Sequence, residues 1–161
     1  DIPIRAYQFS VGESSYWLEY GNKPEYPFGY GLTYTTFEYG PVVLSDTCLK
    51  ASSPDHLVAS CEIANTGNRD AVAVPQLYIR DVVGSISRPV KELKGFQRIH
   101  LNAGETQTVT FKITSDLLRF YDYHLNDVIE PGDFDIMIGP NSRDVKKKRL
   151  SVIAARGSEI E

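Results

Sequence analysis

From Val42 onward apolar and polar residues alternate with period two, in short runs broken by Gly, Pro, Asn and Ser. That is the pattern of half-buried antiparallel strands. The clearest run is Thr106 to Thr114, where Val109, Phe111 and Ile113 face one way and Thr108, Thr110 and Lys112 the other. Asn102, Ala103, Gly104 and Glu105 supply the turn before it. Asp133 to Gly139 is a second strand, with Phe134, Ile136 and Ile138 on one face and the turn pair Pro131 and Gly132 upstream. Leu57, Ala59, Cys61 and Ile63 form the apolar face of a third, and Leu150, Val152 and Ala154 that of a last one. Gln76 to Arg80 is a further strand, with Leu77 and Ile79 opposite Tyr78. Pro75 beside it has no N–H for a ladder, so that strand is expected at an edge or a bulge.

Helical periodicity is absent from this region; Ser115 to Leu118 allows at most one helical turn, with Ser115 as its cap. Six or seven short strands at this spacing predict an all-β, two-sheet antiparallel sandwich. The first 34 residues differ. They hold tyrosines at 7, 16, 20, 26, 30 and 34 and the single Trp17, without sustained alternation. Such a segment has too little regular structure to fold alone, and its rings are expected to bury area against another domain. The expected division is therefore a linker with the tail of a preceding domain over 1–34 and the sandwich over 35–161.

Length and composition are compatible with one sizeable core plus an attached segment: 161 residues, 42% hydrophobic and 24% charged. The net charge of −4 offers no overall field for nucleic acid or an anionic membrane. No apolar run approaches the roughly 18 to 20 residues of a membrane helix. The one basic cluster, Lys146 to Arg149, runs into the alternation Leu150, Val152, Ala154 and is read as a solvated strand end.

Only two cysteines are present. If residues 42–49 and 57–64 made a hairpin turning at Pro54 and Asp55, its register would oppose Cys48 and Cys61. A directly opposed pair can reach disulfide distance. A disulfide, adding about 3 kcal/mol in an oxidising compartment, and two neighbouring buried thiols both remain open.

Candidate chemistry is sparse. Glycoside hydrolysis needs two carboxyl groups about 5 to 9.5 Å apart. Asp122, Asp127, Glu130, Asp133 and Asp135 fall mostly on outward or turn positions, the pattern of solvated faces. His56, His100 and His124 stand near strand ends without metal-site spacing, and no GxSxG or phosphate-loop motif occurs. No catalytic residue, metal ligand or cofactor site is assigned.

Three segments nevertheless resemble the C-terminal part of glycoside hydrolase family 3 enzymes, the β-glucosidases and β-xylosidases. They are YPFGYGLTYTTFEY at 26–39, VPQLYIRDVVGSISRPVKELKGFQRIHLNAGETQTVTF at 74–111 and FYDYHLNDVIEPGDFDIMIGPNSRDV at 120–145. The first resembles the entry into the family's fibronectin type III-like domain. RDVVGSISRPVKELKGF is most similar to bacterial periplasmic β-glucosidases. The resemblance implies a fibronectin type III/immunoglobulin-like sandwich and a periplasmic or secreted setting, which would suit a Cys48 to Cys61 disulfide.

It also implies that catalysis lies elsewhere. In this family the aspartate nucleophile sits in a barrel domain and the acid/base glutamate, in many members, in an α/β domain; neither region is matched. The implied partners are those two domains, in the same or a separate chain, with a homodimer also open. Gly29 and Gly31 give the linker motif its backbone freedom, and Tyr16 and Trp17 are candidates for a substrate-site rim. The expected function is a non-catalytic module supporting stability and packing. The alternative is a carbohydrate-binding module that uses exposed rings, with Tyr78, Phe96, Tyr121 and Tyr123 as candidates. An adhesion-type domain would share the fold but leaves the 26–39 motif unexplained.

Overall fold

The computed structural model describes residues 26–51, 56–84 and 90–154. Tyr16, Trp17 and the turn at Pro54 and Asp55 lie outside the described residues. The ten-residue strand β4 (His56–Asn65) organises the first sheet. On one edge it pairs along its length with β9 (Thr106–Thr114). On the other it takes two short strands in succession, β1 (Phe37–Tyr39) and β2 (Val43–Leu44).

The second sheet has the order β3-β13-β12-β6-β7. Its members are β3 (Cys48–Lys50), β6 (Gln76–Asp81), β7 (Glu92–Phe96), β12 (Gly132–Gly139) and β13 (Lys146–Ile153). All neighbours are antiparallel except β3 and β13, which run parallel with Cys48 opposite Ser151. Two ribbons complete the fold, β5 (Ala71–Ala73) with β8 (Ile99–Leu101) and β10 (Phe120–Tyr121) with β11 (Asp127–Val128).

Alternation explains the packing. Leu57, Ala59, Cys61 and Ile63 of β4 join Val109, Phe111 and Ile113 of β9 in one buried cluster. Leu77 and Ile79 of β6, Phe134, Ile136 and Ile138 of β12, and Leu150 and Val152 of β13 meet them from the other sheet. Each large member contributes about 1.5–3 kcal/mol on burial. Ser115–Leu118 forms one 3-10 turn that buries Leu118, but its cap position is Thr114 rather than Ser115.

Three expectations change. Residues 42–49 and 57–64 do not form one hairpin: β2 pairs Val43 with Ser60 and Leu44 with Ala59, and the chain then leaves for the other sheet. Cys61 is consequently buried opposite Val109, while Cys48 is exposed in the second sheet; both thiols are free. Next, β6 is an interior strand, not an edge. Pro75 sits just before its first residue, where no ladder N–H is lost, and the irregularity lies further on at Leu77 and Tyr78. Finally, Ala154 is exposed rather than part of the last apolar face.

The turn between β12 and β13 is built tightly. Asn141, 4% exposed, accepts from the N–H groups of Arg143 at 2.8 Å and Asp144 at 2.9 Å and donates to Asp144 Oδ2 at 2.9 Å. A Cβ on Gly139 would lie 2.2 Å from the Asp144 carbonyl oxygen and 2.9 Å from Val145 Cα, whereas one on Gly132 meets nothing within 4 Å. Gly139→Ala is therefore expected to lower stability by about 1–3 kcal/mol, and Gly132→Ala to stay within about 0.5 kcal/mol. Urea unfolding of the two variants checks the contrast.

Candidate interface around the aromatic strap

Residues 26–31 lie as a strap across the outer face of the second sheet. Strand parity places Gln76 and Tyr78 of β6 and Met137 of β12 on that face, away from the core, yet they are only 6%, 1% and 4% exposed. The strap covers this surface at Gln76 and Tyr78. Gln76 Nε2 donates to the Gly29 carbonyl at 2.9 Å and to the Pro140 carbonyl at 2.6 Å. Tyr78 donates its hydroxyl to Gln76 Oε1 at 2.5 Å and stands 3.4 Å from the Phe28 carbonyl oxygen. The Ser142 N–H donates to the same Phe28 oxygen at 2.8 Å.

The strap's shape comes from its sequence. The Tyr30 N–H donates to the Pro27 carbonyl at 3.0 Å, closing a turn whose third residue, Gly29, has φ +79°. That is the position where a positive φ selects glycine. A Cβ there would also fall 2.0 Å from Gln76 Oε1 and 2.8 Å from the Tyr78 hydroxyl oxygen. Gly31, paired with it in the sequence motif, meets nothing within 4 Å and has no positive φ; only Gly29 is conformationally required. Downstream, the buried Asn65 amide fixes the exit from the strap. Its Oδ1 accepts from Thr35 Oγ1 at 2.6 Å and its Nδ2 donates to the carbonyls of Arg69 and Leu101 at 2.7 and 3.1 Å.

What the strap does not bury is its rings. Tyr26, Phe28, Tyr30 and Tyr34 are 63%, 57%, 44% and 91% exposed, and Leu32 is 88% exposed. Tyr26 and Tyr30 pack on each other with centroids 5.0 Å apart. The backbone thus faces the sandwich and a row of large apolar groups faces outward. Beside it, Lys91 donates to the Ser142 carbonyl, and burial, followed by the nearby Arg80, pulls its ammonium below the ordinary lysine value.

The remaining sequence candidates are dispersed. Phe96 is 64% exposed on β7, Tyr121 and Tyr123 are 65% and 87% exposed on the β10–β11 ribbon, and Tyr78 is buried. The β10–β11 turn is braced by Asp122, which accepts from His124 N, Asn126 N and Asn126 Nδ2. Those bonds, chiefly from Asn126, hold its carboxyl below the usual range. The basic cluster divides by parity. Arg149 pairs with Asp135 at 2.8 Å and Asp133 at 3.0 Å, and Lys147 stands 3.8 Å from Asp135. Asp135, expected on a solvated face, is 4% exposed beneath these cations. Sequence reading missed this because alternation identifies an outward position but not what lies over it.

Burial raises the Tyr78 phenol from 10.0 to about 12, and burial also raises Tyr39. A raised acid favours the folded state while protonated, so this contribution is complete below the unfolded value and disappears as pH climbs from 10 toward about 12. Denaturant unfolding followed into the alkaline range is expected to show this loss. Tyr78→Phe should weaken the pH dependence without abolishing it, since Tyr39 titrates in the same direction.

The fibronectin type III-like family matches residues 73–142. Over 140 residues, 87% of this chain, the sequence is 43% identical to a periplasmic β-glucosidase of Salmonella typhimurium, covering 18% of that protein. It is 44% identical to a β-xylosidase of Formosa agariphila over 131 residues, 80% of this chain and 18% of the relative. A solved β-glucosidase from Listeria innocua in complex with glucose superposes with a TM-score of 0.78 at 40% identity, over 89% of this chain and 20% of its own. The chain thus spans about a fifth of the length of the relatives it matches. Its domain match, sandwich fold and shared sequence agree: the chain belongs with the fibronectin type III-like modules of glycoside hydrolase family 3 enzymes.

Proposed function

We propose that this chain is the non-catalytic sandwich of a β-glucosidase-type enzyme, and that it holds the enzyme's other domains in place through the strap. The observation that carries this reading is the strap's two-sidedness. Its backbone is fixed to β6 and the β12–β13 turn, while Tyr26, Phe28 and Tyr30 point away from the sandwich. Tyrosine and phenylalanine rings held this way offer large contact area at little further entropic cost. A domain joined ahead of the strap would be tethered beside the rings and meet them at high effective concentration.

In this reading residues 1–34 link the sandwich, 35–161, to a preceding domain, and the surface partners are the barrel and α/β domains of the same enzyme. Hydrolysis of O-glycosidic bonds in β-glucosides belongs to those domains. The similarity to a periplasmic β-glucosidase supports a periplasmic or secreted location. Among the described residues no helix is long and apolar enough to cross a membrane.

The 161-residue chain alone is expected to turn over no aryl β-glucoside or β-xyloside; turnover that copurifies with it to homogeneity refutes the assignment. In the whole enzyme, Gly29→Ala should raise hydrogen exchange at the Tyr30 and Ser142 amides, leave Ile136 in β12 protected, and lower the thermal midpoint. An unchanged midpoint with a released strap would show that the strap carries no inter-domain load.

A further inference from the structure

On one side β13 is paired with β12 from Lys146 to Val152; on the other it meets only β3, which reaches no further up the strand than Ser151. The sheet switch explains the gap. The Ser45 N–H donates to the Val58 carbonyl in the first sheet at 2.9 Å, and two residues later the Thr47 carbonyl accepts from the Ser151 N–H in the second, also at 2.9 Å. A chain that crosses between sheets in that span has no residues left to lie beside 146–150. Asp46, in the crossing, turns its carboxylate back onto the Cys48 N–H at 3.0 Å. Main-chain groups alternate sides along a strand. Since Ser151 and Ile153 bond toward β3, Lys147 and Arg149 turn their N–H and C=O to the same edge. Among the described residues no strand pairs with them there.

The open stretch is also the most basic part of the chain. Lys146, Lys147, Lys148 and Arg149 are all exposed. Lys147 and Arg149 are engaged on the outer face by Asp135 and Asp133. Lys146 and Lys148 take the other face, and among the described residues neither forms an ion pair. Of the acidic groups near the start of β13, Asp144 is held by the Asn141 amide at 2.9 Å, and Glu38 stands on the opposite face of β1 from Tyr39. Lysines on an edge ordinarily deter association. They repel a second copy of the same basic edge, but they favour a strand whose carboxylates fall opposite them, because directly opposed unlike charges stabilise a strand pair. A free anion or a nucleic acid would use the ammonium groups and leave the row of N–H and C=O groups unpaired. An extended acidic polypeptide uses both.

We propose that the 146–150 edge of β13 is a docking site for an extended acidic segment of another polypeptide, which adds a strand to the second sheet. The main chain of Lys147 and Arg149 supplies the ladder, and Lys146 and Lys148 select carboxylates at alternate positions of the incoming strand. The site is separate from the strap, and it stands whether or not the packing reading holds.

The test is an amide NMR titration of the 161-residue chain with the peptide acetyl-TEVEVET-amide and, separately, with acetyl-EEETVVT-amide, which has the same composition and charge but no alternation. The first is expected to give saturable shifts centred on 145–150 and slowed hydrogen exchange at the Lys147 and Arg149 amides. The second should bind about fivefold more weakly or not at all. The double variant Lys146→Glu, Lys148→Glu should bind the first peptide about tenfold more weakly and take up acetyl-TKVKVKT-amide instead, a swap that a misfolded variant could not show. Absence of saturable shifts overturns the proposal, as do shifts that map to the strap or to β9. Equal affinity for the two acidic peptides, or unslowed exchange at Lys147 and Arg149, reduces the contact to charge attraction and removes the added strand. A double variant that binds the first peptide as the parent does removes the selecting role of the lysines and overturns the site.

Discussion

Burying both faces of β6 is the constraint around which this molecule is arranged. One face, Leu77 and Ile79, is met by the opposite sheet. The other, Gln76 and Tyr78, is covered by no third layer of secondary structure among the described residues. A buried phenol and amide without partners would cost roughly 1–3 kcal/mol each, so the chain must bring hydrogen-bonding backbone close to them. The strap does so through the Gly29 carbonyl, Pro140 supplies a second acceptor from the β12–β13 turn, and Tyr78 donates its one proton to Gln76 Oε1. Only a residue without a side chain can make that approach at Gly29. Turn, strap and strand thus form one hydrogen-bonded unit, and the outward display of the rings follows from it.

The same parity governs the charges. Along 146–149 each step changes face, so a run that looks uniform in sequence becomes two different objects. Lys147 and Arg149 cover the buried Asp135 on the outer surface, and this helps explain why a carboxylate can be 4% exposed there. Hydrogen bonds from Ser151 and then Arg149 keep the neighbouring Asp133 carboxyl below its ordinary value. Lys146 and Lys148 take the other face, opposite Ile138 and Ile136, and both stay exposed beyond the end of the core. Charges that point inward at the margin of a sandwich also discourage edge-to-edge association.

The strands were legible in the sequence because one buried face per strand enforces strict alternation: β9 was bounded at Thr106 and Thr114, and the apolar face of β4 was read residue by residue. The sheet switch was not legible. The polar triplet Ser45, Asp46 and Thr47 separates Val43 and Leu44 from Cys48 and Leu49, but nothing local says that the first pair joins β4 while Cys48 to Lys50 pair with β13. The inferred Cys48–Cys61 register failed for that reason, and because β2 sets Leu44 opposite Ala59 rather than residue 65. The strap was legible as a distinct aromatic segment needing a surface, and Gly29 as a residue needing freedom. That the sandwich itself provides the surface for the strap's backbone depends on Gln76 and Tyr78, some 47 residues away from Gly29 in one case, and no local pattern reveals it. Asp135 and Lys146 were obscured similarly, since parity assigns a face but not its neighbours.

The parallel pairing of β3 with β13 joins the early and late parts of the domain. On a ribosome, residues 48–50 must wait with their ladder groups unpaired while about a hundred further residues are made, and β13 takes its place only after residue 153 has left the exit tunnel. The strap waits as well, because its partner Ser142 belongs to the turn that leads into β13. Any domain synthesised before this one has therefore emerged, and had time to fold, before the rings of Tyr26, Phe28 and Tyr30 are set in their final orientation. Assembly order is written into the topology, with the ring-bearing surface completed last.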